Sequence, residues 1–220
     1  MSKWTRVPVC GACLDVPAPP VAEFVCTVCS TPFQNSFPLD EHGVCAACRA
    51  GLRAFDRAAS FGAYEGPLRS LIHLLKYRGM KPLARPLAAL MNRALPDGER
   101  FDAIVPVPLY WRRKWSRGFN QAELLARHVA KSRGIPVMNA LHRKRVTGTQ
   151  ASLTTAGRRR NVAGAFTLRP NADVKGKRIL LIDDVMTTGA TAGACASVLK
   201  RAGGKSISLL TVARVDRRSR

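Results

Sequence analysis

An α/β fold, with a parallel sheet covered by helices on both faces and a small cysteine-bearing module ahead of it, is the class this 220-residue sequence predicts. Three observations carry that prediction. Apolar strands and amphipathic helices alternate from near residue 56 onward. The strands read as continuous apolar runs, as strands buried on both faces do. Six of the seven cysteines fall within the first 48 residues, before the alternation begins.

The elements follow in order. "DRAASFGAYEG" is a strand ended by Gly66-Pro67. "PLRSLIHLLKYRG" places Leu68, Leu71, Ile72 and Leu75 on one helical face, with Gly79 at its end. "PLARPLAALMNRAL" is a second amphipathic helix, and "FDAIVPVPLY" a short strand running into two prolines. "NQAELLARHVAKSRG" is a helix with Asn120 as N-cap, Glu123 at the capping-box position and Gly134 at its end. "IPVMNALHR" reads as a strand, and residues 144–164 show no apolar periodicity. "KRILLIDDV" is a buried strand, "ATAGACASVLKRAGG" a small-residue helix stopped by Gly203-Gly204, and "KSISLLTVARV" a last strand.

The cysteines form three Cys-x-x-Cys pairs: Cys10 with Cys13, Cys26 with Cys29, Cys45 with Cys48. Two such pairs supply four thiolates to a tetrahedral zinc ion. The 15 residues between Cys29 and Cys45 suit a zinc ribbon, which favours Cys26, Cys29, Cys45 and Cys48; the 12 residues between Cys13 and Cys26 would also close. Cys10 and Cys13 are then half of a second site, so a truncated double ribbon is one reading. Disulfides are disfavoured because no apolar signal region or roughly 20-residue apolar span appears, which places the chain in the reducing cytoplasm without a transmembrane segment. His42 is taken as a loop residue, Cys195 as a packed core thiol, and His73 and His128 as helix-surface or packing residues.

Charge separates the two parts. Residues 1–60 hold five cations and five acids, whereas 61–220 hold 31 cations and nine acids. The whole surplus of +22 lies in the larger part and favours phosphate-bearing partners. The domains read as 1–55 for the cysteine module and 56–220 for the α/β unit.

The chemistry concentrates in "IDDVMTTGAT", Ile182 to Thr191, at the end of an apolar strand. Ligands of parallel α/β sheets bind at that edge. Backbone N–H groups of the loop and the following helix N-terminus suit a phosphate, with hydroxyls from Thr187, Thr188 and Thr191 and close approach at Gly189. Asp183 and Asp184 cannot bind phosphate themselves. They suit the vicinal hydroxyls of a sugar, or a divalent cation. Acids beside a hydroxyl loop therefore describe a phosphorylated ribose site. A receiver domain is excluded because only 36 residues follow Asp184, and a Walker loop because no Gly-Lys follows "TTGAT".

"ILLI", then "DD", two apolar residues and "TTGAT" resembles the phosphoribosyl diphosphate (PRPP) motif of type I phosphoribosyltransferases. Together with "EGPLRSLIHLLKYRG", "DAIVPVPLYWRRKWSRGFNQAELLA" and "RRRNVAGAF", the chain is similar to the ComF/GntX-type phosphoribosyltransferase-like family over most of residues 20–215. The resemblance implies a type I phosphoribosyltransferase-like parallel sheet with an N-terminal zinc ribbon, and glycosyl transfer from PRPP with Mg²⁺. It also implies a link to DNA uptake in natural competence, with competence-machinery proteins as partners. By that resemblance Asp183 and Asp184 hold the ribose hydroxyls, and Val185, Met186, Thr187, Thr188, Gly189, Ala190 and Thr191 the 5-phosphate loop. Val107 and Pro108 touch the diphosphate, with Arg112, Arg113, Lys114 and Arg117 as countercharge. Residues 144–164 take the place of a hood, with Arg158, Arg159 and Arg160 facing leaving diphosphate. PRPP needs only a local cluster of cations. The wider surplus, with Trp111 and Trp115 beside the basic run, carries the alternative of a single-stranded DNA-binding protein that retains a PRPP pocket.

Overall fold

Four parallel strands in the order β3-β8-β7-β4 form the central sheet of the computed structural model. The structure describes residues 9–17, 22–51, 53–96, 98–144 and 164–215, apart from the side chains of residues 12, 13 and 112–114. Along the chain run α1 (Gly11–Leu14), β1 (Phe24–Val25), β2 (Pro32–Phe33), α2 (Ala46–Arg49) and β3 (Arg57–Ala63). Then come α3 (Gly66–Tyr77), a 3-10 turn (Lys81–Leu83), α4 (Ala84–Ala94), β4 (Ala103–Pro106), α5 (Trp111–Arg117) and α6 (Gln121–Arg133). β5 (Leu141–Arg143), β6 (Phe166–Leu168), β7 (Arg178–Met186), α7 (Ala190–Arg201) and β8 (Ser206–Arg214) complete it.

The continuous apolar runs fill both faces of the sheet. Because strand side chains alternate, Ile179 and Leu181 of β7 join Ile207 and Leu209 of β8 in one core with α7 and the cysteine module. Leu180 and Ile182 join Leu210 and Val212 in the other, under α3, α4 and α6. The predicted stripe of Leu68, Leu71, Ile72 and Leu75 is buried on the second face. Each such side chain contributes about 1.5–3 kcal/mol of burial. Asn120 caps α6 by accepting from the Ala122 N–H at 3.1 Å, and Gly134 ends it in the left-handed region at φ 65°.

Two stretches depart from the sequence expectation. "IPVMNALHR" is not one strand: Val137 bridges Ile104 at the sheet edge, and Leu141–Arg143 turns away to pair antiparallel with Phe166–Leu168. The Ala140 N–H donates to the Met138 carbonyl at 2.9 Å, and this tight turn divides the run. "WRRKWSR", read only as a basic cluster, is a helix, α5, which stops at Gly118 with φ 77°. Cys195 is fully buried in α7, and burial pushes its thiol well up, as a packed core cysteine requires. Among the described residues no helix is long and apolar enough to cross a membrane.

Candidate functional site

β7 and β4 are neighbours, so their C-terminal ends bring the acid pair beside the Val107–Leu109 loop. A cavity of about 230 Å³ opens there. Its walls include Asp183, Asp184, Val185 and Met186 from β7, and Thr187, Gly189, Ala190 and Thr191 from the loop and first turn of α7. Val107 and Pro108 form the opposite wall. Thr188 is turned differently: its Oγ1 accepts from the Ala190 N–H at 3.3 Å and shapes the turn. Gly189 caps α7 at φ 79°, a conformation that an L side chain rarely adopts. The first-turn N–H groups of α7 and the positive end of its dipole thus meet the cavity wall.

Strand alternation separates the two acids. Asp184 follows Ile182 toward the α3 face, where Lys76 Nζ lies 2.9 Å from its Oδ2. Both partners are largely buried, with Asp184 only 4% exposed. Burial alone would lower the Lys76 ammonium; the carboxylates of Asp184 and, behind it, Asp183 raise it instead. Asp183 lies on the other face. Its Oδ1 accepts the Asp184 N–H at 2.9 Å, and burial, followed by the Asp184 charge, pushes its carboxyl up to about 7. Lys76 and Arg143 are the cations that oppose this rise.

Several cavity residues escaped the sequence reading. Lys76 continues the Leu68–Ile72 row at i+4, so a cation extending an apolar stripe was the available signal. Asn120 was read only as a cap; its Nδ2 also donates to the Val107 carbonyl at 3.0 Å and fixes the opposite wall. Arg143, buried and 5.3 Å from the Phe166 ring, comes from β5 across the fold and carried no local signal. Arg117 does not line the cavity; it donates to Gln121 Oε1 at 2.6 Å and sits 5.4 Å over the Tyr77 ring. The side chains of Arg112, Arg113 and Lys114, and the hood with Arg158, Arg159 and Arg160, lie outside the described residues.

The second site is the cysteine cluster. The sulfurs of Cys26, Cys29, Cys45 and Cys48 all lie within 4.8 Å of one another. Cys26 and Cys48 are 3.9 Å apart, and Cys29 and Cys45 are 3.8 Å apart. A tetrahedral zinc ion with bonds of about 2.3 Å sets its sulfurs roughly 3.8 Å apart, so these four residues fit a metal ion. Local turns enforce the geometry. Ser30 adopts φ 52° within the first knuckle, and Asp40 Oδ1 accepts from the His42 and Val44 N–H groups to fold the approach to Cys45. His42 is an exposed loop residue outside the cluster, and Cys10 is exposed and also apart from it.

The phosphoribosyl transferase domain model matches residues 74–220, which include the acid pair, both cavity walls and three of the four sheet strands, β4, β7 and β8. The chain belongs to this family. Competence protein F of Haemophilus influenzae is 34% identical over 178 residues, covering 77% of this chain and 78% of that protein. DNA utilization protein YhgH of Escherichia coli K12 is 33% identical over 199 residues, covering 86% and 84%. Competence protein ComFC of Bacillus subtilis is 25% identical over 201 residues, covering 86% and 78%. The chain is thus a ComF-type phosphoribosyltransferase-like protein with the type I fold, a four-stranded parallel sheet flanked by helices. Relative to that domain, the cysteine cluster lies N-terminal to the matched residues yet packs into the same core as β7 and α7.

Proposed function

We propose that this ComF-type protein binds PRPP in the 230 Å³ cavity and transfers its phosphoribosyl group to an acceptor in the service of DNA uptake. One observation carries the reading: the acid pair, the first turn of α7 and the Val107–Pro108 wall share a single cavity. Asp183 and Asp184 accept hydrogen bonds from the ribose hydroxyls, with Lys76 holding Asp184 in place. Thr187 to Thr191 and the α7 N-terminus receive the 5-phosphate. The Val107–Pro108 wall faces the diphosphate.

Transfer breaks the bond from C1 to the diphosphate oxygen, and that electron pair leaves with the diphosphate. An acceptor lone pair forms the new bond, and its proton departs to solvent. The protein's task is to stabilise charge around an oxocarbenium-like C1, for which carboxylates beside the sugar and cations around the diphosphate suffice. Bound Mg²⁺ supplies part of the neutralisation of the diphosphate. Lys76 and Arg143 are the cavity's own cations, and Arg112, Arg113 and Arg117 follow the diphosphate wall in sequence. A zinc ion at Cys26, Cys29, Cys45 and Cys48 is structural in this reading.

A second reading keeps the pocket as a sensor and gives the basic surface to single-stranded DNA. It is favoured by α5, where Trp115 is 84% and Trp111 53% exposed, beside Tyr77 at 67%. Aromatic rings of such exposure next to arginine suit base stacking. The names of the relatives, competence and DNA utilization proteins, agree with either reading. Incubating the protein with PRPP, Mg²⁺ and a panel of purine and pyrimidine bases separates the two. Diphosphate release dependent on one base supports transfer. PRPP binding without release across the panel supports the sensor.

A further inference from the structure

Arg53 joins the two sites. It lies between α2 and β3 and is only 6% exposed. Its Nη1 lies 3.6 Å from Cys48 Sγ and 3.9 Å from Cys45 Sγ, and 3.5 Å from Thr31 Oγ1. From the same guanidinium, Nε donates to the Thr188 carbonyl at 3.2 Å. Gly189 packs on it so closely that a Cβ there would meet Nε at 3.2 Å. One buried cation therefore spans from two metal-ligating sulfurs to the backbone of the Thr187–Thr191 loop. Arg214 braces the same edge: it donates to the Cys29 carbonyl at 2.7 Å and to Thr31 Oγ1, while its own position on β8 registers with Met186.

The physical consequence follows from what Arg53 needs. A buried guanidinium is tolerated only where fixed acceptors meet it. Four thiolates around a divalent ion leave that site net negative and rigid. Without the ion, the four sulfurs repel one another as thiolates or take up protons as thiols, and Arg53 loses its fixed negative partner on that side. Turning toward water, it would release the Thr188 carbonyl and the wall behind Gly189. The loop would thus have a second arrangement, which a metal ion at the cluster would disfavour through Arg53.

We propose that Arg53 couples metal occupancy of the Cys26, Cys29, Cys45 and Cys48 cluster to the conformation of the Thr187–Thr191 loop, so that the metal and a phosphate-bearing ligand strengthen each other's binding. Linkage makes the coupling reciprocal. The ligand half rests on the PRPP reading above; the loop half does not.

The test uses the full chain, zinc-loaded and chelator-stripped, as wild type, Arg53→Gln and Arg53→Lys. Hydrogen exchange of the amides of residues 187–193 reads the loop without any ligand. In wild type, stripping should speed this exchange by about fivefold or more, the lower end of ordinary couplings between sites. In Arg53→Gln the loop should exchange fast in both states. Arg53→Lys keeps charge against the sulfurs but lacks the Nε donor, so it should hold zinc and still show a fast loop. Unchanged exchange on stripping wild type, a variant loop that still responds to zinc, or a slow loop in Arg53→Lys overturns the proposal. In parallel, PRPP with Mg²⁺ should slow zinc transfer to a chelator by the same factor by which zinc tightens PRPP. A loop that responds in a protein that never binds PRPP sinks the PRPP reading and leaves the coupling standing. PRPP affinity indifferent to zinc in wild type sinks the coupling and leaves the PRPP reading standing.

Discussion

The cysteine cluster is drawn from one short run, Cys26 to Cys48, folded by its own turns, whereas the cavity draws on residues from Tyr64 to Thr211. In the cluster, spacing and two tight turns place the ligands, and the sheet adds a floor through the Ala58 N–H to Val28 carbonyl bond at 2.8 Å and a brace from Arg214 to the Cys29 carbonyl. In the cavity the walls come from segments far apart in sequence: α3 brings Lys76, the start of α6 brings Asn120, β5 brings Arg143, and β7 with the loop after it brings the acids and Thr187 to Thr191. A site closed by local turns can be broken locally. A site assembled by a sheet is broken by whatever disturbs strand order or the ion pair beneath it.

Damage to the local site should give the largest effect. Cys26→Ser or Cys48→Ser should reduce metal content from about one ion per chain to near none and unfold the module, because ligand loss removes metal-binding energy that is also folding energy. Cys10→Ser should leave the content at one. Equal zinc loss from Cys10→Ser, measured by elemental analysis, would place the tetrad elsewhere and erase the contrast.

The assembled site answers differently. Lys76→Met leaves Asp184 buried without its cation and should cost about 3–5 kcal/mol of stability, the usual result of removing one partner from a buried pair. Lys76→Met with Asp184→Asn should recover most of that loss in denaturant unfolding. A single variant as stable as wild type would mean that the pair does not hold the edge of the sheet.

How far each site is legible in the sequence follows from the same contrast. Cys26, Cys29, Cys45 and Cys48 are readable because two residues between ligands and a ribbon-length gap are local facts. The acid pair and "TTGAT" are readable for the same reason. Lys76 is not, because its partner is more than 100 residues away and only the sheet brings them together. Arg53 is hidden for that reason too: nothing near "AGLRAF" points to Thr188. The central strands are legible as continuous apolar runs. β5 and β6 are not, since three-residue strands carry too few side chains for a period to show, and the turn at Ala140 depends on the neighbouring β4 edge. α5 was missed because its interest lay in its charge, although "WRRKWSR" contains no glycine or proline to break a helix.

Smaller effects sharpen the comparison on the basic surface. Trp115→Ala should weaken single-stranded DNA binding by about 1–3 kcal/mol if the ring stacks on a base. Five phosphate contacts would give a log–log salt slope near about −3.5. Fluorescence anisotropy between about 50 and 300 mM salt checks both, since screening changes strongly over that range. A flat salt response leaves the charge as a solvated face.

The assembled site also predicts a pH slope. Asp183 is raised from 3.8 to about 7 in the folded chain, so folding takes up a proton there within that window. More protons on the native state mean that this contribution is present below about pH 4 and is lost as pH rises toward 7. Asp183→Asn should therefore lose that part of the stability slope, read as the wild-type-minus-variant difference in denaturant midpoint. An identical slope in both proteins would show that Asp183 titrates as an ordinary carboxylate.

The most direct test of the central claim is calorimetric titration of PRPP with Mg²⁺ into zinc-loaded wild type and Asp183→Asn. Asp183 faces the cavity without sharing the Lys76 ion pair, so its substitution leaves that buried pair in place. Wild type should bind one PRPP per chain. The variant should lose about 1.5–3 kcal/mol per hydroxyl hydrogen bond to the carboxylate, at least about tenfold in affinity, with unchanged zinc content. Equal affinity in both proteins, or no binding to zinc-loaded wild type, would contradict the assignment of the acid pair to a phosphorylated ribose.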